Sequence, residues 1–421
     1  MRILGVTETC DLGSLYMRLI AEGHEVRVSV SWPLASETMA GLVPRVEDWR
    51  GELGWIREAG AEGVIVFEAV GFGALQDDLR REGYNVIGGS ALGDRLENDR
   101  AFAQGVLADL GLPIAGCAEF TDPESALADL RARPRRTVFK VSASAGETFV
   151  GALADGSDIA ALLAAREPEE AERFVLMDFV EGIETGVGAY FDGERFLLPG
   201  CIDWEHKRFF AGDMGELTGE MGTVATFDGS ARLFERCLKP LEPMLREAGH
   251  VGYVNLNTMI DERGVWPLEF TCRFGYPGFA VLEPLQALGW SELFRCMIGR
   301  TAHSFETRPG FSLCVVLSTP PFPYSRKELS AVVGLPVLTG DIDPRHLHWS
   351  EVGLRDGRLV TTGLYGWTGV VTGTGSTIEQ AKTAAYARAR EVHCPNLRYR
   401  LDIGDRLIDG QLAQLKAWGW L

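Results

Sequence analysis

Three consecutive side chains, His206, Lys207 and Arg208, bring imidazole, ammonium and guanidinium groups together inside the run Trp204-Glu-His-Lys-Arg-Phe-Phe-Ala-Gly-Asp-Met-Gly-Glu-Leu-Thr-Gly-Glu-Met-Gly222. Glycines at 212, 215, 219 and 222 allow backbone N–H groups to approach a ligand closely, and the cations suit an anion. Taken alone, the run would equally fit a surface turn with a chance basic cluster. A second run changes that balance. Val265-Trp-Pro-Leu-Glu-Phe-Thr-Cys-Arg-Phe-Gly275 reads as a strand that carries an acidic residue, Glu269, into a glycine turn.

Both runs need elements to hold them. Strand-like segments at 2–7, 26–30, 63–67 and 85–88 alternate with helical patterns at 15–23 and 74–82, each stopped by a glycine, which predicts a parallel sheet over about the first 90 residues. A helix is expected from Asp94 through Leu110, then a strand near 118–121, then a helix opened by Asp122-Pro-Glu with Asp122 as its N-cap. Thr137–Val141 is a strand that delivers Lys140 to the loop 142–148, and 173–180 is another strand. Strand-rich stretches at about 186–203 and 251–272 bracket a helix at about 229–248, and Asp261 is expected to close an Asp-Glu-Arg-Gly hairpin. The last segment carries strands between Gly353 and Gly373 and an amphipathic helix from Thr377 to Val392.

Together the two runs resemble the ATP-grasp superfamily, and within it the phosphoribosylamine–glycine ligase family. The similarity extends from Gly63-Val-Ile-Val-Phe-Glu68 to Arg400-Leu-Asp-Ile-Gly404. It implies a mixed α/β and α+β ATP-grasp fold: an N-terminal parallel-sheet α/β domain over 1–95, an ATP-grasp domain over 96–305 with a β-lid at about 115–185, and a C-terminal α+β domain over 306–421. It also implies ATP and Mg2+ as cofactors, with Mn2+ as a substitute, and a carboxylate activated as its acyl phosphate before an amine displaces phosphate.

The same likeness distributes roles. Lys140 faces the phosphates, with Arg100 standing where the family has a second lysine, and lid backbone amides assist. Met177, Asp178, Phe179 and Val180 form the hinge whose backbone reads adenine, and Glu184 binds ribose hydroxyls. Glu269 holds the metal, with the Thr271 hydroxyl in place of the family's asparagine and Asn257 lending an amide oxygen. His206, Lys207, Arg208, Asp213, Thr218, Gly219 and Arg273 take the substrate side, with Arg273, Lys207 and Asp213 nearest the chemistry.

Departures from the family pattern cluster around substrate recognition. Thr7-Glu-Thr-Cys-Asp11 offers no cation where the family has a basic glycine loop, the lid reads Gly146-Glu-Thr148, the strand ending reads Arg273-Phe-Gly-Tyr-Pro-Gly278, and Gly366-Trp367 replaces a glycine–arginine pair. The expected reaction is therefore ligation of glycine or a similar small carboxylate to an amine other than phosphoribosylamine, which could stack on Trp367 or Tyr276. The alternatives are phosphoribosylamine–glycine ligation itself and a nucleotide-binding regulatory protein without turnover.

Composition narrows the class further. A chain of 421 residues with 46% hydrophobic and 24% charged residues suits a multidomain globular enzyme with small-molecule carboxylate and amine partners. A net charge of −18 argues against nucleic acid as a partner, because phosphate neutralisation needs a basic face. No apolar run approaches the roughly 20 residues that span a bilayer, and the start reads as a strand rather than a signal peptide, so a cytoplasmic location and no membrane partner are expected. The eight cysteines show no C-x-x-C pair and suggest neither zinc nor redox chemistry. The oligomeric state stays open.

Overall fold

The computed structural model describes residues 1–141, 148–166, 173–324 and 333–421. Contacts divide the chain into two compact units. The larger comprises Met1–Glu97, Glu184–Asn257 and Glu269–Leu421, and the smaller comprises Asn98–Ile183 and Thr258–Leu268.

The larger unit opens with the alternation foreseen. Strands β1 (Arg2–Thr7), β2 (Glu25–Val30), β3 (Arg45–Val46), β4 (Gly63–Phe67) and β5 (Asn85–Ile87) form a parallel sheet in the order β3-β2-β1-β4-β5. Helices Gly13–Ala21 and Gly73–Arg81 connect them, and each stops just before a glycine with positive φ, Gly23 and Gly83. Leu4, Val6, Ile65, Phe67 and Val86 project from the strands onto Trp49, Ile56 and Leu79, and burying each large apolar side chain contributes about 1.5–3 kcal/mol.

In the smaller unit, β6 (Cys117–Phe120), β7 (Thr137–Val141), β8 (Thr148–Val150) and β9 (Phe174–Asp178) form an antiparallel sheet in the order β6-β9-β7-β8. Helices Pro123–Ala132 and Ser157–Ala164 cover it, burying Ala126, Leu130, Ile159 and Leu163 against Phe139, Phe174 and Leu176. Asp122 caps the first of these helices by accepting the Ser125 N–H at 2.8 Å. The single helix expected from Asp94 to Leu110 is instead two, Ala91–Asn98 and Arg100–Asp109. Asp99 breaks it, because its carboxylate accepts the Phe102 N–H and starts a new helix. Of the lid loop expected at 142–148, residues 142–147 lie outside the described residues.

An eight-stranded sheet, most of whose residues belong to the larger unit, holds β10 (Ile183–Phe191), β11 (Cys201–Glu205), β14 (Gly222–Thr226), β15 (Gly252–Ile260), β16 (Val265–Thr271), β17 (Phe311–Ser318), β19 (Leu347–Trp349) and β22 (Trp367–Gly375). Among the described residues their order is β16-β15-β10-β11-β14-β17-β22-β19. β17 and β22, from the C-terminal segment, thus continue the sheet that carries β10 and β11. Between β11 and β14 the chain makes a short hairpin of β12 (Arg208–Phe210) and β13 (Met214–Leu217). Two-stranded ladders pair β18 (Leu338–Thr339) with β23 (Val392–His393), and β20 (Val352–Arg355) with β21 (Arg358–Thr361). The helix expected at 229–248 is split into Ala231–Cys237 and Glu242–Glu247, since Pro240 and Pro243 cannot donate the hydrogen bonds of a continuous helix. Asp261 accepts N–H bonds from Arg263 and Gly264 and closes its turn as expected. Among the described residues, no helix is long and apolar enough to cross a membrane.

Candidate active site

A cavity of about 280 Å³ lies in the larger unit, over the strands β15, β10 and β11. Its floor follows from the period-two rule of strands. Glu184, Gly186 and Gly188 share one face of β10, as do Cys201, Asp203 and Glu205 on β11, and Tyr253, Asn255 and Asn257 on β15. The glycines leave the central strand bare, and the outer side chains meet above it in three rungs. Cys201 Sγ and the Tyr253 hydroxyl lie 3.1 Å apart, Asn255 Nδ2 donates to Asp203 Oδ2 at 2.7 Å, and Asn257 Nδ2 donates to Glu205 Oε2 at 3.3 Å. A Cβ at 188 would stand 1.9 Å from the Tyr253 oxygen, so only glycine leaves this rung its place.

Lys207 continues the alternation beyond β11. Its Nζ lies 2.9 Å from Glu269, 3.3 Å from Glu205 and 3.5 Å from Glu184. Burial works against the ammonium, but the carboxylates outweigh it and hold the Lys207 pKa above its ordinary value. Both the N–H and the hydroxyl of Thr218 donate to the Lys207 carbonyl, at 2.8 and 2.6 Å, which fixes this backbone. Burial and the neighbouring Glu205 push Asp203 up to about 7, and burial likewise raises Glu205 and, more strongly, Glu220.

Of the residues expected on the substrate side, Lys207, Gly219 and Arg273 line this cavity, as do the metal candidates Glu269, Thr271 and Asn257. Arg273 reaches Glu97 with Nη2 at 3.0 Å. His206, Arg208, Asp213 and Thr218 are not among the cavity's lining residues. His206 is 1% exposed, its Nε2 accepts the Gly404 N–H at 3.1 Å, and burial followed by Arg406 and Arg400 lowers its pKa to about 3. It is a neutral internal strut rather than a cation for substrate. Arg208 donates to the Gly215 carbonyl at 2.7 Å across its own hairpin. Asp213 sits at the hairpin turn with φ +55° and is paired with Arg400 at 2.8 Å and Arg406 at 2.9 Å, which assigns it to holding the hairpin rather than to chemistry.

In the smaller unit, Lys140 stands on β7 opposite Val175 and Thr148, and Arg100 Nη1 points to Leu268 O at 3.3 Å and Met177 Sδ at 3.5 Å. The hinge expected to read adenine has two of its amides engaged: the Asp178 N–H donates to Gly116 O at 2.7 Å and the Phe179 N–H to Arg136 O at 3.1 Å. Those two N–H groups are therefore committed within the smaller unit. The Asp178 carboxylate is paired with Arg135, and the Arg136 guanidinium lies 3.6 Å from the Phe179 ring centre. A shallower depression of about 550 Å³ beside His393 and Cys394 contains none of the expected site residues.

Sequence reasoning missed Asp203, Glu220, Tyr253 and Asn255, which also line the cavity. The signal was present: two glycines spaced by two inside an apolar strand mark a groove, and Asp203, Glu205 and Lys207 share the period of one strand face.

Comparison with known proteins agrees with this architecture. Residues 98–279 match the family model for the phosphoribosylglycinamide synthetase ATP-grasp (A) domain. Phosphoribosylamine–glycine ligase of Rhizobium meliloti is 30% identical over 374 residues, covering 83% of this chain and 84% of that one. The enzyme of the same name from Escherichia coli O157:H7 is 29% identical over 79% of this chain and 80% of its own. A crystal structure of phosphoribosylamine–glycine ligase from Thermotoga maritima superposes with a TM-score of 0.72 at 22% identity, covering 96% of this chain and all of that one, and shows the same fold. N5-carboxyaminoimidazole synthetase from Staphylococcus aureus, solved with ADP, superposes at 0.58 with 14% identity over 92% of this chain and 98% of its own. The chain has the ATP-grasp fold and belongs to the phosphoribosylamine–glycine ligase family, whose members are ATP-grasp ligases that form carbon–nitrogen bonds.

Proposed function

We propose that the protein joins glycine or a similar small carboxylate to an amine, using ATP and a divalent cation, through an acyl phosphate that yields the amide, ADP and phosphate. The observation that carries this reading is the placement of Lys207, held by Glu184, Glu205 and Glu269 in a cavity that Arg273 also lines. A guanidinium there would orient a carboxylate, and an ammonium among carboxylates would compensate the charge of the acyl phosphate. The narrow cavity would keep water from an intermediate that hydrolyses readily. Lys140 and Arg100 would meet the nucleotide phosphates and the segment Met177–Val180 the base, and Glu184 keeps the ribose role that the family resemblance implies.

Glu269, Thr271 and Asn257 would hold Mg2+, or Mn2+ in its place. One carboxylate, a hydroxyl and an amide oxygen are hard donors that suit magnesium when phosphates and water complete its shell. Asn257 fits this role because its nitrogen is committed to Glu205, which leaves the amide oxygen as its acceptor. The bound metal would neutralise phosphate charge during phosphoryl transfer.

The test is a trapping assay with ATP, Mg2+, glycine and hydroxylamine. Formation of glycine hydroxamate together with ADP supports the acyl phosphate. If neither forms across a panel of carboxylates and amines, nucleotide binding without turnover becomes the better reading. Selective production of glycinamide ribonucleotide from phosphoribosylamine would instead assign the reaction for which the relatives are named.

A further inference from the structure

The cavity has more acid than the proposed reaction uses. Lys207 and Arg273, the cations that line it, are already held by carboxylates, whereas Asp203 and Glu220 are not neutralised by any cation of their own among the ion pairs described. Asp203 is 6% exposed, and its Oδ1 has no hydrogen-bond partner among the described residues. The same holds for Oγ1 of Thr223, 2% exposed, and for Oε1 of Glu220. Thr223 faces Glu205 across the β11–β14 ladder, and Asp203, Thr223 and Glu220 all line the cavity. Buried acceptors without donors are costly, and a ligand that brings several N–H donors removes that cost.

Aromatic rings close the same space. Trp367 and Tyr276 line the cavity with ring centres 5.6 Å apart, and Gly219 carries the backbone against the Trp367 ring, where a Cβ would lie 3.7 Å away. Aromatic faces attract ammonium groups, most strongly when desolvated. A phosphate group on the acceptor would find the opposite beside Asp203 and Glu220, where the described ion pairs give neither carboxylate a cation of its own.

We propose that the Asp203–Glu220 end of the cavity is a subsite for a primary ammonium group on a phosphate-free substrate, with Thr223 as a further acceptor and Trp367 and Tyr276 as its aromatic wall. The inference rests on the ligase reading and specifies its substrate class. The ammonium has two sources: a second amino group on the acceptor amine, or the amino group of the carboxylate donor when that donor is an amino acid. Three donors on one nitrogen match the three orphaned oxygens.

Calorimetric titration tests this with 1,4-diaminobutane, glycine and ribose 5-phosphate as probes, on the wild-type protein and on Asp203→Asn and Glu220→Gln. Melting temperatures would confirm that each variant is folded, and Glu220, on the more accessible side, is the safer substitution. The expected result is that 1,4-diaminobutane binds the wild type and binds each folded variant at least tenfold more weakly, with glycine unaffected, which places the ammonium on the acceptor. A tenfold loss for glycine instead places it on the donor and still supports the subsite. The proposal is overturned if ribose 5-phosphate binds more tightly than either amine, if neither amine binds, or if the variants bind both as the wild type does. ADP release with glycine and the same amines, measured in parallel, separates the two claims: binding without ADP release sinks the ligase reading alone, and ADP release without ammonium binding sinks the subsite alone.

Discussion

Gly186 on β10 faces Asp203 on β11, and a Cβ at 186 would stand 2.1 Å from the Asp203 Oδ1. The bare strand is thus what lets this carboxylate lie over the cavity floor. Gly186→Ala should push the carboxylate aside at a cost of about 1–3 kcal/mol, the usual range for overpacking. Amine binding should weaken at least tenfold while the nucleotide-induced thermal shift is retained. Calorimetry beside a melting curve checks this, and amine affinity equal to wild type would show that Asp203 does not touch substrate.

Lys207 lies between Glu184, Glu205 and Glu269, so its removal leaves three acids around one point without their ammonium. Lys207→Met should cost about 3 kcal/mol, as expected when one partner of a largely buried ion pair is lost. Adding Glu205→Gln should recover part of that loss, because it removes one of the stranded charges. Denaturant unfolding of wild type, single and double variants measures the coupling, and additive effects would mean that Lys207 and Glu205 do not interact.

Much of this arrangement could be read from residue order, and the reasons for the rest are physical. The parallel sheet was legible because Leu4, Val64, Ile65 and Val86 sit in short apolar runs whose helices stop at Gly23 and Gly83. Lys207, Glu269 and Arg273 were legible from type and motif, and the cavity brings them together. His206 misled because an imidazole beside Lys and Arg looks cationic, whereas its fate is set by Arg400, Arg406 and Gly404, nearly 200 positions away. Asp213 misled for the same reason, since its partners Arg400 and Arg406 come from the far end of the chain. The Asp203–Asn255 rung was invisible because its members are 52 positions apart and meet only when β10 lies between them.

Lys140 should report on the nucleotide. MgATP at a hundredfold excess over its dissociation constant should stabilise the wild type by about 2.7 kcal/mol, because it binds only the folded state. Lys140→Ala should lose most of that thermal shift, and an unchanged shift would place the phosphates elsewhere.

Glu269 should separate metal binding from nucleotide binding. Glu269→Gln keeps the shape and removes the charge, so turnover should fall about a hundredfold or more, in line with the several kcal/mol that a bound metal supplies to charge stabilisation. Nucleotide affinity should change less. Full activity in the variant would make Glu269 only a partner for Lys207.

Glu68 gives the chain a pH dependence whose sign can be worked out. It lies at the end of β4, 5% exposed, and accepts hydrogen bonds from the Tyr16 hydroxyl at 2.6 Å, the Thr7 hydroxyl at 2.7 Å and the Leu12 N–H at 3.2 Å. Burial, with Asp11 adding to it, raises its pKa from the ordinary 4.5 to about 7. A carboxyl group that holds its proton more tightly when folded stabilises the fold fully below its unfolded pKa and loses that contribution as pH rises through the folded value. The loss runs from about pH 4.5 to about pH 7 and amounts to about 3 kcal/mol. Glu68→Gln cannot titrate, so the stability of wild type minus that of Glu68→Gln should fall by about this much between pH 4.5 and pH 8. Urea unfolding of both proteins across that range measures it, and a difference that does not change with pH would show that Glu68 ionises in the folded protein as it does in the unfolded chain.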